Sequence, residues 1–102
     1  MSPVSMHEET KDLKRPTRDM HRALSSLIEE LEAVTWYNQR ADACDDDELR
    51  KILRHNSDEE KEHAAMLLEW IRRHDGAFDK ELRDYLFTEK SITGAEEEIK
   101  GG

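Results

Sequence analysis

The chain has 102 residues, of which 40% are charged and 35% hydrophobic, and its formal net charge is −9. This composition lies near the boundary of intrinsic disorder, and a chain this short forms one domain at most. Four glycines, two prolines, one cysteine and no long apolar run exclude collagen-like, disulfide-stapled and membrane-spanning proteins. A pI near 5.0 argues against nucleic acid or an anionic membrane as partner. No export signal is evident and the lone Cys44 suits a reducing interior, so the cytoplasm is the expected compartment.

The N-terminal half predicts one long helix. Residues 1–15 are polar and are expected to form a mobile N-terminal arm. Pro16 suits the first turn of a helix, so the helix is predicted to begin there and to run to about Ala41. Glu30 lies at the edge of its apolar stripe. That stripe alternates steps of four and three residues through Met20, Leu24, Leu27, Leu31 and Val34.

A second long helix is predicted from the three aspartates that follow. Asp45 is expected to cap its N-terminus, with Glu48 completing a capping box. The helix is predicted to run to about His74, with Gly76 placed to end it. Its seam has a polar middle, and reads Leu49, Leu53, Asn56, Glu60, His63, Leu67, Trp70 and His74.

A third, shorter helix is predicted over residues 79–87, and residues 91–102 are expected to form a flexible tail. The predicted fold class is therefore all-α. Residues 16–90 are expected to form an antiparallel two-helix hairpin plus a short third helix.

Glu60 and His63 stand three residues apart, so on a helix they share one face and can converge on one ion. A carboxylate with an imidazole suits iron, manganese or zinc. The pair alone is a weak signal in a chain so rich in glutamate. Its position on an apolar seam strengthens the signal, because an unpaired buried carboxylate is costly, and Glu30 borders the facing seam.

These three residues supply half of a known di-iron arrangement. In ferritin-type bundles, two helices each give a Glu and two others each give Glu-x-x-His. A two-fold related pair of chains has four long helices and that full set, so the residues predict a metal site between subunits of a homodimer. Alternatively, Glu60 is a solvated charge and His63 a partly buried histidine bonded to a neighbour. The protein is then a non-catalytic acidic helical module for metal binding or oligomerisation.

Other acidic positions are less specific. Glu29 and Glu32 flank Glu30 and could collect cations, although such clusters usually form a solvated helix face. A second set of possible ligands, spaced at i, i+4 and i+7, consists of His55, Glu59 and Glu62. This spacing permits a peripheral metal site, and chance alignment on so charged a helix explains it about as well.

Several stretches closely resemble the encapsulated ferritins. The likeness covers roughly residues 20–93. Its most specific parts are Trp-Tyr at 36–37 and Asp-Glu-Glu-Lys-Glu-His-Ala at 58–64. Residues 29–34, 55–57, 65–66, 69–70 and 85–89 carry the remainder.

The resemblance implies a ferroxidase in which each chain is half a ferritin. It implies a di-iron centre across a dimer interface, a ring-shaped decamer of such dimers, and storage of the oxidised iron inside an encapsulin shell in the cytoplasm. By the same likeness, iron ligands are expected at Glu30, Glu60 and His63, and a neighbouring residue at Tyr37. Glu29 and Glu32, with Trp36 close by, are expected to form an acidic access site. A peripheral site for calcium or another divalent ion is expected at His55, Glu59 and Glu62.

Two departures from the family pattern are visible. Pro16 falls where family members continue a helix, so the N-terminal arm is expected to be shorter or kinked. The family also carries a C-terminal peptide that docks to the shell, and none is evident after Glu98.

Overall fold

The computed structural model describes residues 5–101, so residues 1–4 of the predicted arm and Gly102 of the predicted tail lie outside the described residues. The all-α prediction is confirmed, and no strand occurs between residues 5 and 101. A short 3-10 turn at Thr10–Asp12 precedes four α-helices. The helices are α1 (Arg15–Ala43), α2 (Asp47–His74), α3 (Gly76–Tyr85) and α4 (Ile92–Gly101). None of these helices is both long enough and apolar enough to cross a bilayer.

Helix α1 begins at Arg15 because Pro16 occupies its first turn, where a missing backbone N–H costs nothing. This start agrees with the predicted one to within a residue. The helix continues two residues beyond the predicted end, and the backbone N–H of Cys44 closes it by donating to the carbonyl of Ala41.

A three-residue connection, 44–46, joins α1 to α2, and Arg50 holds it. The guanidinium donates from Nε and Nη2 to the carbonyl oxygen of Cys44, at 3.1 and 2.6 Å. Asp46 caps α2, since its Oδ1 accepts from the backbone N–H of Leu49 at 2.8 Å. The predicted capping box from Asp45 to Glu48 is therefore wrong by one residue. Three adjacent aspartates are equally good caps by sequence, and the fold of the connection selects among them.

Replacing Asp46 with alanine is expected to lower the free energy of unfolding by about 1 kcal/mol, because it removes the side-chain acceptor at the start of α2. Urea unfolding followed by circular dichroism measures the change. Asp45→Ala is the matched control, since it removes an identical charge one residue earlier and is expected to change stability by less than about 0.5 kcal/mol. Equal losses in the two variants would contradict the assignment of the cap.

Helices α1 and α2 run antiparallel. Asn38, near the end of α1, contacts Ser57 in the first half of α2, whereas Glu30, further back along α1, contacts His63 further along α2. The buried side chains of this pair are mostly small. They are Ala23, Ser25 and Ala41 in α1, and Ser57, Ala64 and Ile71 in α2.

The buried positions of α2 differ from the predicted seam. Ser57, Ala64 and Ile71 repeat every seven residues, one position after Asn56, His63 and Trp70. The three predicted seam residues are half-buried instead. Alanine and serine let the helices approach closely, which places the larger polar residues at the margin of the contact. His63 consequently lies at the margin of the contact between α1 and α2.

The described residues form two compact units, one ending at Ile71 and the other beginning at Arg72. In the second unit α3 begins at Gly76, earlier than predicted, because the side chain of Asp75 caps it by accepting from the N–H of Phe78 at 2.9 Å. The prediction that Gly76 ends α2 is wrong. That glycine lies inside α3 and does not have the positive φ of a helix-terminating glycine.

Asp79 links the last turn of α2 to α3. Its carboxylate accepts hydrogen bonds from Arg72 and, at 2.9 Å, from Nε of Arg83. The hydrogen bond from Arg72, assisted by Arg83, holds the pKa of Asp79 below its ordinary value of 3.8. The carboxylate therefore stays ionised at neutral pH and keeps both cationic partners.

Helix α4 lies within residues 91–102, which were predicted to form a flexible tail without a helix. Ser91 caps it, since the N–H of Gly94 donates to Ser91 Oγ at 3.2 Å. Ala95 is buried, α3 and α4 are in contact, and Lys90 pairs with Glu98 at 3.0 Å. Phe87, between the two helices, has a φ of 58° and is fully exposed.

Candidate metal centre

Three side chains from α1 and α2 converge at the middle of the hairpin. Glu60 and His63 lie one turn apart on α2, and Glu30 faces them from α1. His63 Nδ1 stands 3.5 Å from Glu30 Oε2 and 3.7 Å from Glu60 Oε2. One potential ligand atom of each residue lies within 4.8 Å of the other two, and no other set of three such residues between 5 and 101 does so. The sequence spacing had placed these three residues on facing seams, and the structure brings them together.

The site is partly shielded from water. The side chains of Glu30, Glu60 and His63 are 25%, 23% and 43% exposed. Glu30 Oε2 itself is buried and accepts no hydrogen bond from the described residues. A buried carboxylate oxygen without a hydrogen bond is costly: His63 Nδ1, 3.5 Å away, makes none to it, and Glu60 adds a second negative charge. A divalent cation between the three side chains would satisfy that oxygen and offset both charges.

The donor set fits such a cation by chemistry as well as by charge. Two carboxylates and one imidazole suit iron, manganese or zinc. Nδ1 of His63 faces both carboxylates, so it is the nitrogen available for coordination, and it must be unprotonated to bind. Three protein ligands leave coordination positions open on any of these metals, as a site that admits a further reactant requires.

The predicted acidic access site does not merge with this cluster. Glu29 is exposed and Glu32 half-buried, and neither joins a three-residue group among the described residues. Trp36, four residues after Glu32 on α1, is also exposed. Their role in access stays a prediction.

The predicted peripheral patch is formed only in part. His55 Nε2 and Glu59 Oε1 lie 2.9 Å apart on the exposed surface of α2. Glu62 is also exposed, but within residues 5–101 no three-residue group brings it together with that pair. One imidazole and one carboxylate at i, i+4 are an ordinary helix-surface ion pair. Metal binding there stays a prediction.

Two residues of the same helices, Asn38 and Ser57, have no predicted role in the site. Asn38 Oδ1 accepts a 2.8 Å hydrogen bond from Ser57 Oγ, and Ser57 lies one turn before Glu60. The available signal is the seven-residue repeat of Ser57, Ala64 and Ile71, which marks the true contact face of α2.

Tyr37, expected near the iron ligands, is half-buried, and the Arg40 guanidinium lies 5.3 Å from its ring centroid.

The comparisons with known proteins all point to one family. The family described as EncFtn-like matches residues 5–89. The chain is 59% identical over 95 residues to an encapsulated ferritin-like protein of Rhodospirillum rubrum, covering 93% of this chain and 68% of that protein. It is 57% identical over 96 residues to a ferritin-like protein of Thermotoga maritima, covering 94% of this chain and 84% of that one.

A solved structure extends this likeness to the fold. The crystal structure of protein ne0167 from Nitrosomonas europaea superposes with a TM-score of 0.84 and is 68% identical in sequence. The match covers 87% of this chain and 98% of that chain. These matches agree with the convergent carboxylates and histidine already described. The chain therefore belongs to the EncFtn-like family, the encapsulated ferritins that its sequence resembles.

Proposed function

We propose that the protein is a ferroxidase, for which ferrous iron and dioxygen are the substrates. The observation that carries the proposal is the convergence of Glu30, Glu60 and His63 around a buried carboxylate oxygen that has no hydrogen-bond donor. Carboxylates are hard ligands that stabilise ferric over ferrous iron, so a ferrous ion held here becomes easier to oxidise. Each ferrous ion gives up one electron, which dioxygen accepts. The name of the Rhodospirillum rubrum relative, an encapsulated ferritin-like protein, supports the same chemistry.

A second copy of the chain completes the proposed site. A single chain offers three ligands, and Glu30 from each of two chains bridges two ferrous ions in the arrangement implied by the family resemblance. Large apolar side chains on α1 and α2 favour such a contact, because five of them remain about half exposed, between 47% and 57%. They are Leu31, Trp36, Leu49, Ile52 and Met66. Covering them with a two-fold related copy makes a four-helix bundle from two hairpins.

The proposal extends to the assembly and its location. In this proposal the dimers assemble into a ring-shaped decamer inside an encapsulin shell, and the shell stores the oxidised iron, as the family resemblance implies. The relative named as encapsulated supports a shell partner. The carboxylates of the exposed Glu29 and the half-buried Glu32 serve in this scheme to gather ferrous ions near the centre.

Iron oxidation in air tests the function directly. Ferrous iron added to the parent protein is expected to give ferric absorbance and dioxygen consumption well above a protein-free control. Stoichiometric iron binding under anaerobic conditions without catalysed dioxygen consumption would identify a metal-buffering protein instead. If iron is neither bound nor oxidised, the remaining reading is an acidic oligomerisation module.

Native mass spectrometry tests the shared site. We expect dimers carrying two ions, and decamers built from them, when ferrous iron is present under anaerobic conditions. Fewer such species are expected after a chelator removes the iron. Metal-loaded monomers alone would contradict a site completed by a second chain.

A further inference from the structure

A partly buried hydrogen bond joins α1 to α2, and its donor Ser57 lies one turn before Glu60. Ser57 Oγ donates to Asn38 Oδ1 at 2.8 Å, across 19 residues of sequence, and Ser57 is only 2% exposed. We propose that Asn38 and Ser57 are positioning residues, which fix the register of α2 against α1 and thereby hold Glu60 and His63 opposite Glu30. This inference rests on the proposed function, because it concerns the same centre.

The rest of the contact between α1 and α2 defines the register weakly. Its buried residues are mostly alanine and serine, which offer little interlocking shape, and apolar burial has no preferred direction. A hydrogen bond is directional and is lost within about 1 Å of displacement. A single buried polar residue is known to specify register between paired helices for this reason.

The centre needs a register of this accuracy. Ser57 precedes Glu60 by three residues and His63 by six, so it lies about 4.5 and 9 Å from them along the axis of α2. Sliding α2 by one residue moves both ligands by about 1.5 Å and turns them by about 100°. Metal–ligand distances tolerate only about 0.2 Å. A slip of one residue would therefore separate Glu60 and His63 from Glu30.

Neither positioning residue belongs to the three-residue ligand cluster. Asn38 is exposed on one side, so water can solvate its amide when Ser57 is replaced, and the fold can survive the change. The effect is expected on the ligand geometry rather than on helix content. Residues that orient metal ligands from outside the coordination sphere typically change affinity by about 10- to 100-fold.

Anaerobic titration of the full chain with Co²⁺, followed by its visible absorption, tests the proposal. Ser57→Ala and Asn38→Ala are each expected to weaken Co²⁺ binding about 10-fold and to alter the Co²⁺ spectrum. The double variant is expected to lose no more than either single one, because both remove the same bond. Far-UV circular dichroism at the titration temperature confirms that each variant remains helical.

Two further variants separate positioning from general loss of stability. Asn38→Asp keeps the acceptor oxygen and the size of the side chain, and is expected to bind Co²⁺ within about threefold of the parent. Its added charge stands about 12 Å along α1 from Glu30, beyond the screening length of about 8 Å at physiological salt. Thr35→Val removes a hydroxyl that bonds only within α1, to the carbonyl of Glu32, and is expected to leave affinity unchanged.

Parent-like Co²⁺ affinity and spectrum in helical Ser57→Ala and Asn38→Ala would overturn the positioning role. Equal weakening by Thr35→Val would do the same, since it would reveal a nonspecific effect. The proposed function is judged separately, on iron oxidation by the parent. If the variants weaken Co²⁺ binding as predicted but the parent oxidises no iron, the ferroxidase proposal is contradicted and the positioning role is supported.

Discussion

Glu30→Gln is expected to lower the initial rate of aerobic iron oxidation by at least about 100-fold, since even changes outside the coordination sphere cost 10- to 100-fold in metal affinity. Glutamine keeps the shape of the side chain and removes the negative charge that faces Glu60 and His63. Stopped-flow absorbance of ferric product gives the rate. Glu60→Ala and His63→Ala are expected to lose oxidation to a similar degree, because each removes one of the three proposed ligands in a chain.

Glu30→Gln is expected to stabilise the metal-free protein, although it lowers the rate of iron oxidation. Glu30 Oε2 is buried without a donor, and the glutamine amide can donate to Glu60 instead of repelling it. The free energy of unfolding without metal is therefore expected to rise by on the order of 1 kcal/mol. Glu81→Gln in α3 is the control, since it removes the same charge far along the chain from the ligands. Parent-like oxidation by Glu30→Gln would refute the ligand assignment.

Divalent metal is expected to raise the thermal stability of the parent strongly. A ligand that binds only the folded chain adds about 2.7 kcal/mol at 100 times its Kd. For a chain of this size that corresponds to a rise in Tm of about 10–20 °C. Thermal unfolding with Co²⁺, and again after a chelator is added, measures the shift and its reversal.

The ligand variants provide the comparison for this shift. His63→Ala and Glu30→Gln are expected to show little or no rise in Tm at the same Co²⁺ concentration. An equal rise in Glu30→Gln and the parent would place the stabilising metal elsewhere, with the exposed pair His55 and Glu59 as the first alternative to examine.

Much of the hairpin follows from local sequence. Pro16 marks the start of α1, and the aspartates after Cys44 mark the start of α2, because caps and first turns depend on neighbouring residues alone. The convergence of Glu30 with Glu60 and His63 follows from three-residue spacing and two facing stripes. Iron binding at these three residues is a proposal that the oxidation assay tests.

Other features depend on tertiary structure that no local pattern contains. The choice of Asp46 over Asp45 is set by a connection in which Arg50 holds the carbonyl of Cys44. The pairing of Asn38 with Ser57 depends on which residue of α1 lies opposite Ser57, and the seven-residue repeat of α2 does not give that partner. Helix α4 forms in a polar segment with few apolar residues, where the cap at Ser91 and the contact with α3 supply what composition lacks.

The three-residue connection between α1 and α2 also bears on how the chain folds. Asn38 and Ser57 are 19 residues apart, whereas Glu30 and His63 are separated by 33, and the entropy of closing a loop grows with its length. A hairpin that closes outward from its connection brings Asn38 to Ser57 before it brings Glu30 to His63. The residues assigned to the metal then meet after that pair, when the register of the helices next to the connection is already set.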